Sequence, residues 1–122
     1  MVQVESDSER ALLTLSFRGH VSPEEIRQYR PQTLAALEQL EPGFRLLTDL
    51  SGLESMAYAC APEIEAMMDV FRQKGVGLVL RVVPDARKDI GFRVMSYFHY
   101  GRAVPVLTVD SRDEALAKLS AV

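Results

Sequence analysis

The spacing of apolar and polar residues changes repeatedly along the chain, and each change marks an element. Val2 and Val4 alternate with Gln3 and Glu5, a period of two that predicts a short strand. Ser6 to Arg10 is polar and turns the chain. Over Ala11 to Arg18, Leu13, Leu15 and Phe17 alternate with Thr14, Ser16 and Arg18, predicting a half-buried second strand that Gly19 and His20 close. The connection is too short for a crossover, so this pair is antiparallel. The period then lengthens. Ser22-Pro23-Glu24-Glu25 combines a capping serine, a proline suited to the first helical position and a capping-box glutamate. Ile26, Tyr29, Thr33, Leu34, Leu37 and Leu40 follow as one inward stripe. Pro31 is expected to kink this helix or to split it near Arg30, and Glu41-Pro42-Gly43 ends it.

Phe44 to Leu50 predicts a buried strand, Ser51 to Ala61 a loop, and a second helix begins at about Pro62. Its apolar stripe is Ile64, Met67, Met68 and Phe71, with Gly75 as the C-terminal cap. Val76 to Val83 is dense in β-branched residues and predicts a central strand buried on both faces. A third helix is expected from Pro84-Asp85 to about Tyr100, a strand over Val104 to Val109, and a last helix from the capping-box pattern Ser111-Arg112-Asp113-Glu114 through Leu116 and Leu119. The order β-β-α-β-α-β-α-β-α implies an α/β fold: a single mostly parallel sheet of about five strands, about four helices and right-handed crossovers, with an antiparallel strand at one edge.

Composition narrows the class. The 122 residues suit one domain over 1–122, and 48% hydrophobic with 25% charged residues is the balance of an ordinary globular chain. Fourteen Lys and Arg against 17 Asp and Glu give a charge of −3, which lacks the basic footprint of a nucleic-acid binder. One cysteine excludes an intrachain disulfide and suits a reducing compartment. The acidic N-terminal stretch lacks the apolar region of a signal peptide, and apolar runs fall short of the ~20 residues that span a bilayer. A cytoplasmic protein with no integral membrane segment is expected.

The element order and several segments resemble the STAS domain, the fold of bacterial anti-sigma-factor antagonists and of sulfate-transporter tails. Leu15 to Ser22 (LSFRGHVS) resembles its strand and polar turn before the first helix. Leu46 to Leu53 (LLTDLSGL) resembles its central strand, Val79 to Pro84 (VLRVVP) the next, and Val104 to Leu119 its last strand and helix. The resemblance implies a non-catalytic regulatory or binding module. In the antagonist branch a Ser or Thr at the start of the second helix is phosphorylated by the anti-sigma kinase. The matching positions here are Ala57, Tyr58, Ala59 and Cys60, so the resemblance implies the module without that phosphoserine switch.

Ligands of open α/β sheets favour the carboxyl ends of the strands, and helix N-termini hold anions. Both point to the segment Asp49 to Pro62. Asp49, Ser51, Leu53, Ser55, Met56, Tyr58 and Cys60 are therefore the candidates for a partner-binding or ligand-binding loop, with Leu53, Met56 and Tyr58 giving it an apolar character. The partner would be a protein, such as an anti-sigma-type kinase, or a small apolar or lipid-like ligand lined by Met67, Met68 and Met95. A small enzyme using Cys60 or His99 is the third reading. Cys60 lacks an evident base, and His20 and His99 fall in no metal-ligand spacing, so no metal, cofactor or catalytic set is expected.

Charge is unevenly spread. Arg81, Arg87, Lys88, Arg93 and Arg102 against Asp85 and Asp89 make 81–102 a +3 segment, leaving −6 elsewhere. Phe92, Met95 and His99 form one stripe of the third helix, with Arg93 beside it. If that stripe faces outward, it is a self-association surface, and a homodimer is the expected assembly.

Overall fold

A computed structural model describes residues 1–82 and 104–120. The helix expected from Pro84 to Tyr100, and with it Phe92, Arg93, Met95 and His99, lies outside the described residues. Within them the order is β1 (Val2–Asp7), β2 (Leu12–Val21), α1 (Pro23–Glu38), β3 (Arg45–Met56), a 3-10 turn (Tyr58–Cys60), α2 (Ala61–Lys74), β4 (Leu78–Val82), β5 (Val106–Val109) and α3 (Arg112–Ser120). The five strands form one sheet in the spatial order β1-β2-β3-β4-β5. β1 and β2 are antiparallel, and β2 to β5 are parallel. The mixed sheet with an antiparallel edge is the one the residue periods predicted.

Strand alternation divides the interior in two. Leu13, Leu15 and Phe17 of β2, Leu46 and Leu50 of β3 and Val79 of β4 pack with Ile26 and Leu37 of α1 and Ile64, Met67, Met68 and Phe71 of α2. The opposite pleat points Leu12, Leu47, Leu80, Val82 and Val109 at Ala115 and Leu119 of α3. Thus α1 and α2 cover one face, as right-handed crossovers between successive neighbours require, and α3 covers the other.

The helix ends follow their local chemistry. The Ser22 hydroxyl accepts from the Glu25 N–H at 3.3 Å, and the Ser111 hydroxyl from the Glu114 N–H at 3.1 Å. Gly75 ends α2 in the left-handed region at φ 94°, its N–H donating to the Phe71 and Arg72 carbonyls.

Four expectations are corrected. Pro31 does not split α1 near Arg30, since the helix runs unbroken to Glu38; the proline is on the solvent side, where a helix opens most easily. Leu34 is not part of the inward stripe, being 42% exposed, because the covered arc of α1 is narrower and is filled by Ile26, Thr33 and Leu37. β2 does not close at Gly19 but continues to Val21. Finally, Ser51 to Met56 is not loop. β3 continues through it, paired with Arg18–Val21 of β2 across two bulges. Each bulge inserts one extra β3 residue, and this slips the apolar-polar period that a regular strand would show.

Candidate functional site

The candidate segment stands where the parallel strands end and the helices begin. Asp49 comes first, and it is buried. Its Oδ1 accepts from the Ser51 N–H at 3.0 Å and from the Ser51 hydroxyl at 2.6 Å, and its Oδ2 lies 3.6 Å from Nη1 of Arg112. The carboxylate therefore shapes β3 at its first bulge and pairs with the first turn of α3 at the same time. Leu53 is buried in the core shared with Val21, Met56 is half-buried beside it, and Ser51 and Ser55 are exposed. Leu53 and Met56 therefore turn inward rather than form an apolar loop surface. Among the segment's described side chains, the exposed ones are polar or small: Ser51, Gly52, Glu54, Ser55, Ala57 and Ala59. Tyr58 opens the 3-10 turn that leads into α2.

Cys60 occupies the N-cap position of α2, as its place in the sequence suggests, but makes no side-chain cap. Its thiol is buried and donates to the Val21 carbonyl at 3.4 Å. Burial pushes the thiol pKa up; the Ala57 backbone hydrogen bond opposes this, while the negative charges of Glu24, Glu63 and Glu25 add to it. The dipole benefit at a helix N-terminus is thus outweighed by desolvation, and the neutral thiol is the form this site holds.

Around this end the helices are tied by charge. Arg27 of α1 reaches Glu63 of α2 at 2.9 Å and Glu24 at 3.3 Å, and the N-terminal amine meets Glu25 at 2.9 Å. Close by, His20 on β2 stands between two side chains of β3: Nδ1 is 2.5 Å from the Ser55 hydroxyl, and Nε2 is 3.2 Å from Oε2 of Glu54. Glu54 is not among the candidates: Ser51 to Ala61 is expected to be a loop, which gives no register to bring it beside His20, and on a regular strand it would face away from Ser55. The bulge that pairs Gly19 with Leu53 and His20 with Ser55 removes that rule locally.

A second residue stands apart from its sequence grouping. Arg81, counted in the +3 segment 81–102 and also inside the strand expected to be buried on both faces, is on β4 and only 1% exposed. It lies on the pleat of Val79, in register with Thr48 and Thr108, and with Met67, Met68 and Phe71 it lines a cavity of about 20 Å³ under α2. The signal was available: two residues after an inward valine, a strand side chain points inward again. Met67 and Met68 do line a cavity, but its volume admits about one water. On the other face an open cleft of about 600 Å³ runs between the β1–β2 turn and α3, lined by Glu5, Asp7, Glu9, Arg10, Thr14 and Arg112.

Among the described residues, no group of three or more His, Cys, Asp and Glu side chains is placed to hold a metal ion, and no helix is long and apolar enough to cross a membrane.

No family model matches the chain, and no curated protein sequence matches it. Solved structures do match its fold. An uncharacterized protein of the DUF3478 family from Shewanella loihica, described as having a SpoIIAA-like fold, superposes with a TM-score of 0.72 at 18% identity, over 98% of this chain and 92% of that one. The anti-sigma factor antagonist SpoIIAA in its unphosphorylated form gives 0.70 at 12% identity over 100% of both chains. An anti-sigma factor antagonist from Mycobacterium paratuberculosis gives 0.53 at 17% identity, over 98% of this chain and 93% of that one. The fold is therefore SpoIIAA-like, as the STAS resemblance implied.

Proposed function

We propose that the chain is a non-catalytic regulatory module that binds a protein partner through the end of the sheet carrying residues 49–60. The observation that carries this reading is a fold shared end to end with anti-sigma factor antagonists, in a chain whose corresponding helix start holds Ala57, Ala59 and a buried Cys60. The partner class this suggests is an anti-sigma factor or a kinase of that type, recognised in the cytoplasm without a phosphoserine switch. The small exposed side chains at Ser51, Ala57 and Ala59 leave backbone close to the surface, which favours a shape-matched protein contact over a deep ligand site. A carrier of apolar ligands fits less well, because the cavity beside Met67 and Met68 has a volume of only about 20 Å³. Self-association through Phe92, Arg93, Met95 and His99 is part of the same proposal.

Pull-down with the tagged full chain from lysate of its source cells tests the reading. Ala57→Arg is expected to lose the captured protein, and Lys118→Glu, on α3, to keep it. Equal capture by the wild type and Ala57→Arg overturns the proposed surface.

A further inference from the structure

Ser55, His20 and Glu54 are drawn together by a backbone irregularity, and their order of contact has a chemical meaning. β3 carries one residue more than β2 between the Gly19–Leu53 and His20–Ser55 pairs. At the same place Gly19 takes φ +65°, and nothing lies within 4 Å of the Cβ it lacks. Glycine is needed there for its backbone angle, not for space. The bulge lets the adjacent Glu54 and Ser55 address one imidazole from both sides, and bulges commonly re-aim side chains in this way.

We propose that Ser55 is a nucleophile primed by His20, able to accept an acyl group from an activated ester. Glu54 accepts the Nε2–H of His20, 3.2 Å away, and so fixes the tautomer in which Nδ1 is free. Nδ1 then accepts the Ser55 hydroxyl proton across 2.5 Å. This is the connectivity of a serine, a base and an orienting acid, with the two ring nitrogens exchanging the roles they take in serine hydrolases. The side chains are open to donors, His20 being 76% and Glu54 69% exposed. In the step, the Ser55 oxygen bonds to the carbonyl carbon while the bond from that carbon to the leaving oxygen breaks. His20 takes the hydroxyl proton and passes it to the departing alkoxide or phenolate, and Ser55 is left as an ester. His20 acts directly on the reacting atom, and Glu54 is a positioning residue. Ser55 lies within the surface of the partner-binding reading, and an acceptor modified once per chain is compatible with that reading.

The full chain treated with p-nitrophenyl acetate near neutral pH tests it. Peptide mass mapping is expected to find the acetyl group on Ser55, and Ser55→Ala to abolish that product. His20→Gln should slow labelling by roughly 100-fold, the low end of general-base assistance. Glu54→Gln should also slow it, and Glu54→Asp should recover part of the rate, with thermal unfolding unchanged in all variants. Nitrophenolate release that stops at one equivalent supports the acceptor. Continuous release that Ser55→Ala abolishes supports the nucleophile too, and would replace the non-catalytic reading of the chain; continuous release that Ser55→Ala retains overturns the proposal. Acetylation confined to lysines and the N-terminus, or wild-type labelling of Ser55 in His20→Gln, overturns the proposal.

Discussion

Cys60 stands at the N-terminus of α2, where a thiolate gains from the helix dipole, yet its thiol is enclosed and bonded to the Val21 carbonyl. The dipole offers about 0.3–1 kcal/mol at an exposed terminus, and losing water costs the charged sulfur more. Two consequences follow for measurement. A thiol reagent at neutral pH is expected to modify Cys60 more slowly than free cysteine. Because the folded thiol pKa is raised above its ordinary 9.0, the native state binds that proton more tightly than the unfolded chain. The associated stability is therefore complete below pH 9.0, and is lost as pH rises through the folded value. Urea midpoints across alkaline pH should show this decline in the wild type, and a smaller one in Cys60→Ala. Identical pH profiles for the two would remove the effect. Arg81 is another polar group enclosed by the fold, 1% exposed and in register with Thr48 and Thr108.

At the scale of elements, the strongest local signals lie where backbone chemistry and side-chain period agree. α2 is the clearest, with its four-residue apolar stripe buried and Gly75 in the left-handed region. A Cβ on Gly75 would lie 3.1 Å from that of Pro42 and would occupy φ +94°. Gly75→Ala is expected to cost about 1–2 kcal/mol, read as a lower urea midpoint with an unchanged slope; an unaltered midpoint would mean the cap relaxes freely. The sequence made the order of elements, the antiparallel edge and the inward stripe of α2 legible, because each is a repeated local pattern. It did not make the end of β3 legible. Ser51-Gly52 has the composition of a turn, and the inserted bulge residues break the alternation on which a strand is recognised. For the same reason the inward turn of Leu53 and the meeting of Glu54 with His20 were not readable. Both depend on register between β2 and β3, which only pairing supplies.

At the scale of the molecule, among the described residues the second face of the sheet is held by one short helix. α3 has nine residues and buries Ala115 and Leu119. Its two ends are tied to β3: Arg112 to the Asp49 carboxylate at 3.6 Å, and the Leu119 carbonyl to Nη1 of Arg45 at 2.9 Å. A nine-residue helix is marginal in isolation, so these ties set how firmly the face stays closed. Asp49→Ala removes the Arg112 partner and the acceptor for Ser51. It should lower stability by about 1–3 kcal/mol, and amide exchange should accelerate in α3 before it does in β2 or α2. Uniform acceleration across the sheet would show that Asp49 acts on the whole fold and not on this helix.

The strand order β1-β2-β3-β4-β5 also has a consequence in time. In this sheet each strand docks beside the one made just before it, so no strand must wait for a later one to open a place between neighbours. A chain leaving the ribosome can extend the sheet edge by edge in the direction of synthesis, with the hairpin of β1 and β2 as its first template. β5 and α3 join the sheet after the strands that precede them in the chain. The nascent chain therefore exposes a growing parallel edge throughout translation, and that edge is shielded at each stage by the strand that follows it.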